Sequence, residues 1–184
     1  MHDEQSVGRR PRRQPAPLDE AALKDLALAY AARFATTRAK LLRYLTRKLK
    51  ERGWAGAAPP EPQALADRLV ALGYVDDAAF AAMKGRAMTA RGLGRRRVAH
   101  ALAAAGVAPA DHGEAPDALA ALAVAVAFAR RRRLGPFAAA AVADPAARQK
   151  QLAAMLRAGH DLAVARRVLA ATSPDEADSL LTED

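Results

Sequence analysis

The sequence has no cysteine and few aromatic residues. The absence of cysteine from all 184 residues excludes disulfide scaffolds, thiolate zinc sites, iron–sulfur clusters and cysteine nucleophiles. It is compatible with a reducing cytoplasm, where we place the protein. Aromatic residues make up 4% of the chain, and the hydrophobic 52% is carried by Ala and Leu, which have high helix propensity. Because β-sandwiches and barrels need β-branched and aromatic residues, the sequence predicts an all-α fold.

Long apolar runs are also missing. The most apolar stretch, residues 118–129, has about 12 residues, whereas a membrane-spanning helix needs ~20. We therefore expect a buried helix there and no membrane partner. Residues 1–17 contain four arginines with no apolar segment behind them, so we predict a disordered basic arm and no signal sequence. Residues 172–184 are predicted to form a frayed acidic tail.

No motif for catalysis or metal binding occurs in the sequence. The four histidines lack metal-ligand spacing and are expected on the surface or at helix edges: His2, His100, His112 and His160. The adjacent carboxylates Asp76 and Asp77 fit an N-cap and a first-turn residue better than an acid–base pair. Phosphate-binding glycine loops and a serine nucleophile elbow are missing. We expect a protein that is not an enzyme and has no cofactor, metal or small-molecule substrate.

Capping residues divide the chain into eight or nine helices. An N-cap aspartate flanked by apolar residues at staple spacing occurs twice: Leu18, Asp19 and Leu23, then Val75, Asp76 and Phe80. Three helices end at glycines 53 residues apart, namely Gly53, Gly106 and Gly159, and a further helix ends at Gly73. These five residues, Gly53, Gly73, Asp76, Gly106 and Gly159, are the predicted structural caps and turns.

The recurrence of caps and glycines predicts tandem three-helix repeats that form an elongated, curved array. We place the repeats at residues 18–73, 74–115 and 116–171. The alternative is an Ala-rich helical bundle whose glycines align by chance.

Positive charge is the remaining functional feature. The chain has 29 Lys and Arg against 20 Asp and Glu, for a net charge of +9 and a pI near 10.6, which indicates a polyanionic partner. Residues 84–97 contain six basic side chains and no acidic one, unlike a merely solvated helix. Arg38 and Arg43 have counterparts 53 residues later. The candidate partner-binding residues are Arg38, Arg43, Arg91, Arg95, Arg96 and Arg97. The cluster Arg130–Arg133 is explained by a helix C-terminus.

Three blocks of this sequence resemble the RecX family of regulatory proteins. They are RFATTRAKLLRYLTRKLKERGW (33–54), LGYVDDAAFAAMKGRAMTARGLGRRRVAHALAAAGV (72–107) and LAAMLRAGHDLAVARRVLA (152–170). The central block is the most specific, with Gly73-Tyr74-Val75-Asp76-Asp77, then Phe80 and the Arg91-Gly92-x-Gly94 step. The resemblance covers residues 20–171.

This resemblance implies a modulator of the RecA recombinase. Such a protein binds the RecA nucleoprotein filament, lodges in its groove and suppresses filament growth, ATP hydrolysis, strand exchange and coprotease activity, so that it modulates recombination, DNA repair and the SOS response. We expect a monomer with the RecA filament as its partner and possible contact with single- or double-stranded DNA. The alternative is a helical-repeat protein that binds DNA directly, without RecA.

Overall fold

The computed structural model describes residues 16–114, 116–140 and 144–182. Within these ranges the chain forms nine α-helices: α1 Glu20–Arg33, α2 Arg38–Arg52, α3 Pro62–Ala71, α4 Asp77–Ala90, α5 Arg95–Ala105, α6 Ala118–Arg132, α7 Pro145–Arg157, α8 Leu162–Ala170 and α9 Pro174–Ser179. Two 3₁₀-helices, Pro109–Asp111 and Gly135–Phe137, lie between them. In the described residues the only extended pairing is a single bridge between Leu18 and Trp54. The predicted all-α fold is confirmed. The predicted N-terminal arm lies outside the described residues except for its last two positions.

Several helices begin after an aspartate whose carboxylate accepts hydrogen bonds from backbone N–H groups. Before α1, α4 and α6, the capping carboxylate accepts a hydrogen bond from the N–H three residues on: Asp19 from Ala22, Asp76 from Ala79 and Asp117 from Ala120. The flanking residues Leu18, Leu23, Val75 and Phe80 are all buried. Each cap thus supplies one of the hydrogen bonds that the first helical turn lacks.

The helices α2, α5 and α7 end at glycines in the left-handed conformation. Gly53, Gly106 and Gly159 have φ angles of 79°, 81° and 94°, which glycine adopts without the steric cost that a Cβ imposes. The 53-residue spacing therefore corresponds to three helix C-termini.

The chain divides into two compact units. In the described residues, the first comprises 16–34 and 41–74, and the second comprises 35–40 and 75–182. The first unit contains α1, most of α2, and α3. Leu18, which precedes α1, forms two backbone hydrogen bonds: its N–H donates to Gly53 O at 3.0 Å, and its carbonyl accepts from Ala55 N at 2.8 Å. Stacked rings of Tyr30 and Tyr44, 4.2 Å apart, join α1 to α2.

Two hydrophobic clusters form the core of the second unit. One joins α4 to α5 and the residues after it: Phe80, Ala81, Leu102, Ala105 and Val107. The other joins α6, α7 and α8: Leu122, Ala125, Val126, Ala129, Met155, Ala165 and Val168. Within residues 74–115 the described chain has two α-helices followed by the short 3₁₀-helix Pro109–Asp111. The tandem-repeat arrangement itself stays a prediction.

The acidic C-terminal segment, predicted to fray, contains a short helix, α9. Ser173 Oγ accepts from Glu176 N at 3.1 Å, and Pro174 occupies the first turn of α9. Ala177 is fully buried, and Asp178 pairs with Arg130 of α6 at 2.7 Å. Ser-Pro-x-Glu at a helix start is a capping pattern visible in the sequence, but the ion pair to α6 depends on the fold.

Candidate functional site

The six predicted partner-binding arginines lie on three helices. Arg91 follows α4, and Arg95, Arg96 and Arg97 open α5. These four flank one short turn, Gly92–Gly94, in the second unit. Arg38 also belongs to the second unit, where its N–H donates to Asp77 Oδ1 at 2.8 Å, whereas Arg43 is an exposed residue of α2 in the first unit.

The first turn of α5 is bonded to the end of α7. Gly94 N–H donates to Ala158 O at 2.9 Å, and Arg96 N–H donates to Gly159 O at 3.2 Å. A Cβ on Gly94 would overlap the Gly159 carbonyl, and a Cβ on Gly159 would overlap the backbone at Arg97. N–H groups that a helix start normally leaves to a cap or to water are here satisfied by carbonyls of another helix.

Asp161 holds two of the predicted arginines. Its Oδ2 lies 2.8 Å from Arg95 Nε and its Oδ1 lies 2.7 Å from Arg96 Nε. The hydrogen bond from Arg95, with the charges of both arginines, lowers the pKa of the Asp161 carboxyl despite partial desolvation. The carboxylate accordingly makes no capping bond to its own helix, α8. Sequence reasoning assigned Arg95 and Arg96 wholly to a partner and missed this pairing, because Asp161 is more than 60 residues away along the chain.

His160 is buried beside this ion pair. Its side chain is 3% exposed, Nε2–H donates to Gly92 O at 3.1 Å, and its ring packs against Phe128 with centroids 5.3 Å apart. Burial lowers the pKa of His160, against smaller opposite effects of the Gly92 carbonyl and Asp161. Of the two expected positions, surface or helix edge, His160 takes the second: it lies at a helix end, but it is buried, where its packed ring has a hydrogen-bond partner. His2 lies outside the described residues.

Four cations of this region have no carboxylate partner among the described residues. They are exposed side chains on α4, directly after α4 and in the first turn of α5: Lys84, Arg86, Arg91 and Arg97. We refer to these four residues as the α4–α5 cations. Since exposed charges without partners are free to meet a second molecule, these residues form the strongest candidate interface.

The arginines at the end of α6 have intramolecular contacts. Arg130 pairs with Asp178 and lies over the Phe137 ring at 4.6 Å, while Arg131 Nη1 donates to Ala90 O at 3.4 Å. These contacts add to the helix-dipole explanation that the sequence gives for this cluster.

The described part of the chain offers no centre for a metal ion. No group of three or more His, Asp or Glu side chains is placed to hold one. Among the described helices, none combines the length and the apolar content that crossing a bilayer requires.

A helical protein with an exposed cationic surface is typical of a binding or regulatory protein. The chain is 32% identical over 171 residues to the Regulatory protein RecX of Myxococcus xanthus (strain DK1622). The match covers 85% of this chain and 89% of that protein. It matches no protein-family model. The identity and coverage show that the chain belongs to the RecX family, so the resemblance found in the three sequence blocks is confirmed.

Proposed function

We propose that this protein regulates RecA by binding the RecA nucleoprotein filament, and that it suppresses ATP hydrolysis, strand exchange and coprotease activity there. Through these effects it would modulate recombination, DNA repair and the SOS response. The observation that carries the proposal is the identity to a Regulatory protein RecX along most of both chains. The proposal includes action as a monomer, in the cytoplasm, without catalytic activity of its own, and the three tandem repeats at 18–73, 74–115 and 116–171.

The α4–α5 cations support this function. A filament of protein and single-stranded DNA carries phosphates, and exposed cations increase the rate of encounter with such a polyanion. Three of the candidate residues, Arg43, Arg91 and Arg97, combine exposure with the absence of a carboxylate partner in the described chain, and Arg91 and Arg97 belong to the α4–α5 cations. Arg95 and Arg96 are assigned two roles, because they pair with Asp161 within the protein and are also proposed to contact the partner. Arg38 and Arg43 remain proposed contacts on α2.

The test adds the purified protein to preformed RecA–single-stranded DNA filaments and follows ATP hydrolysis. We expect the wild type to suppress it. Reversal of all four α4–α5 cations to Glu changes the net charge from +9 to +1 and is expected to raise the half-inhibitory concentration at least tenfold, a loss of about 1.4 kcal/mol or more in binding free energy.

The matched control reverses four exposed cations outside the interface: Lys24, Arg68, Lys150 and Arg157. It produces the same net charge and is expected to change inhibition less than threefold. Equal losses in the two variants would mean that total charge alone matters. Unchanged ATP hydrolysis with the wild type would overturn the proposed function.

The same exposed cations favour one second candidate, direct binding of DNA. Binding of single-stranded DNA alone through four phosphate contacts gives a log–log salt slope of about −3. Fluorescence anisotropy with a labelled oligonucleotide measures it. Tight binding with this slope, without any effect on RecA, would favour the second candidate.

A further inference from the structure

The second unit contains an open cavity of about 920 Å³, which is lined in part by Arg86, one of the α4–α5 cations. Helices α4 and α5 form one side, and α6, α8 and residues 112–114 form the other. Most of its surface is apolar, from small or aliphatic residues: Ala81, Ala82, Val98, Leu102, Val124 and Val164. A cavity of this size accommodates several side chains of a partner.

Gly85 leaves this cavity open at the middle of α4. Glycine in a helix interior destabilises the helix relative to alanine, so its presence there needs a reason. A Cβ at Gly85 would find its nearest neighbour, Val98 Cγ1, at 3.8 Å, which is an ordinary van der Waals distance. The packing of α4 on α5 therefore does not require glycine at this position. The missing side chain instead enlarges the cavity next to the α4 backbone.

The charged residues that line the cavity carry a small net positive charge. Its lining includes Arg86, Arg95 and Arg96 against Glu114 and Asp161, and Asp161 is already paired with two of the arginines. Arg86, one of the α4–α5 cations, lines the cavity and has no carboxylate partner among the described residues. An occupant with carboxylates beside its apolar side chains would therefore complement the apolar lining and the positive charge of Arg86.

We propose that this cavity is a docking site for a segment of the filament protein that combines apolar side chains with Asp or Glu. The proposal rests on the proposed function, because it takes the RecA filament as the partner. A peptide fits better than nucleic acid, because most of the lining is apolar and it includes no Phe, Tyr or Trp ring on which a base could stack.

The test compares Gly85→Phe with Gly85→Ala in the full chain. Both replace a helical glycine by a residue of higher helix propensity, so both are expected to fold, which circular dichroism verifies. The alanine variant leaves most of the cavity open and is expected to inhibit RecA ATP hydrolysis within twofold of wild type. The phenylalanine variant fills the space beside Val98, and its half-inhibitory concentration is expected to rise at least tenfold. Inhibition by a folded Gly85→Phe equal to wild type would overturn the docking site and leave the proposed function intact.

A second measurement identifies the occupant without depending on the Gly85 variants. Ala82, an exposed residue of the cavity, is replaced by the photo-crosslinker p-benzoylphenylalanine, and the crosslinked RecA peptide is identified by mass spectrometry. Ala104, exposed on α5 outside the cavity, is the control position. We expect a crosslink from position 82 alone, to a peptide with both carboxylate and apolar residues. The proposal is overturned by a crosslink to DNA, by a crosslink to a peptide without carboxylates, or by the absence of any crosslink from position 82. Failure of the wild type to bind the filament would instead refute the proposed function.

Discussion

At the residue scale, the contact between Gly94 and Gly159 allows the start of α5 and the end of α7 to share hydrogen bonds. Gly159 combines a φ of 94° with backbone atoms in the place of its Cβ. Gly113, in the same unit, has a φ of 75° and no heavy atom within 4 Å of a built Cβ. A side chain at Gly113 would therefore meet only the strain of the left-handed backbone, whereas one at Gly159 would meet both this strain and a steric clash.

We predict that Gly159→Ala lowers the free energy of unfolding by about 2–4 kcal/mol, since it adds overpacking to the left-handed strain. Gly113→Ala should cost about 1 kcal/mol, because only the strain applies. Urea denaturation of both variants measures the difference. Similar losses for the two would contradict the close helix junction.

His160 makes stability depend on pH near neutrality. Burial places its pKa in the folded protein below the ordinary 6.5, so the unfolded state binds the proton more readily. Stability is therefore complete above about pH 7 and falls as pH decreases from the unfolded pKa towards the folded one. The carboxyls with lowered pKa, Glu51, Asp161 and Glu176, have ordinary values of 3.8–4.5 and act only at lower pH.

We expect the free energy of unfolding of the wild type to decrease between pH 7.5 and 5.5, and His160→Gln to flatten this dependence. The glutamine amide can still donate to Gly92 O but does not titrate. Denaturation at several pH values tests it. An equally steep decrease in the variant would assign the effect to another group.

At the scale of elements, the N-terminus of α2 is fixed by one of two neighbouring threonines. Thr37 is fully buried, its hydroxyl donates to Ala105 O at 2.7 Å, and it accepts from Lys40 N at 3.1 Å. Thr36 is also buried, but its hydroxyl has no hydrogen-bond partner within the described chain. The two side chains therefore have opposite expected responses to the loss of a hydroxyl.

Thr37→Val is predicted to cost about 2–3 kcal/mol, because it removes the helix cap and leaves the Ala105 carbonyl unpaired. Thr36→Val should be neutral or stabilising by up to about 1 kcal/mol, since it removes a buried polar atom that forms no bond. Thermal unfolding of the pair provides the measurement, and a large loss for Thr36→Val would reveal a partner for its hydroxyl.

The sequence predicted the local parts of this fold and missed the distant ones. The N-cap at Asp76 and the helix ends at Gly53 and Gly106 depend on a few neighbouring residues, so a linear pattern reveals them. The bonds from Thr37 to Ala105 and from Asp161 to α5 join residues more than 60 positions apart, and they form only after the helices pack.

The 53-residue spacing also has a counterpart in these distant bonds. Ala105 and Ala158 are 53 residues apart, and each carbonyl accepts a bond from the start of another helix, from Thr37 Oγ1 and Gly94 N respectively. Sequence reasoning detected the spacing through the glycines but could not assign the donors. For the candidate site, it found the charged stretch but missed the cavity and the pairing of Arg95 and Arg96, because both require the positions of α6 and α8.

At the scale of the whole molecule, the net charge of +9 predicts salt-sensitive regulation. We expect the half-inhibitory concentration for RecA ATP hydrolysis to rise roughly tenfold or more between about 50 and 200 mM salt for the wild type. The variant with reversed α4–α5 cations should show a much weaker dependence. Parallel salt titrations measure this, and identical slopes would show that other charges govern the encounter.

The hydrogen bonds between α5 and α7 also have a kinetic consequence. Amide protons in the first turn of a helix normally exchange rapidly with solvent, because they lack helical acceptors. Those of Gly94 and Arg96 are protected by carbonyls of another helix, so each exchanges only when this junction opens. Both lie in the same turn as Arg95 and Arg97. Deuterium uptake at these two backbone positions would thus report how often the turn that carries these arginines separates from the end of α7. The measurement applies to the free protein and to the filament complex.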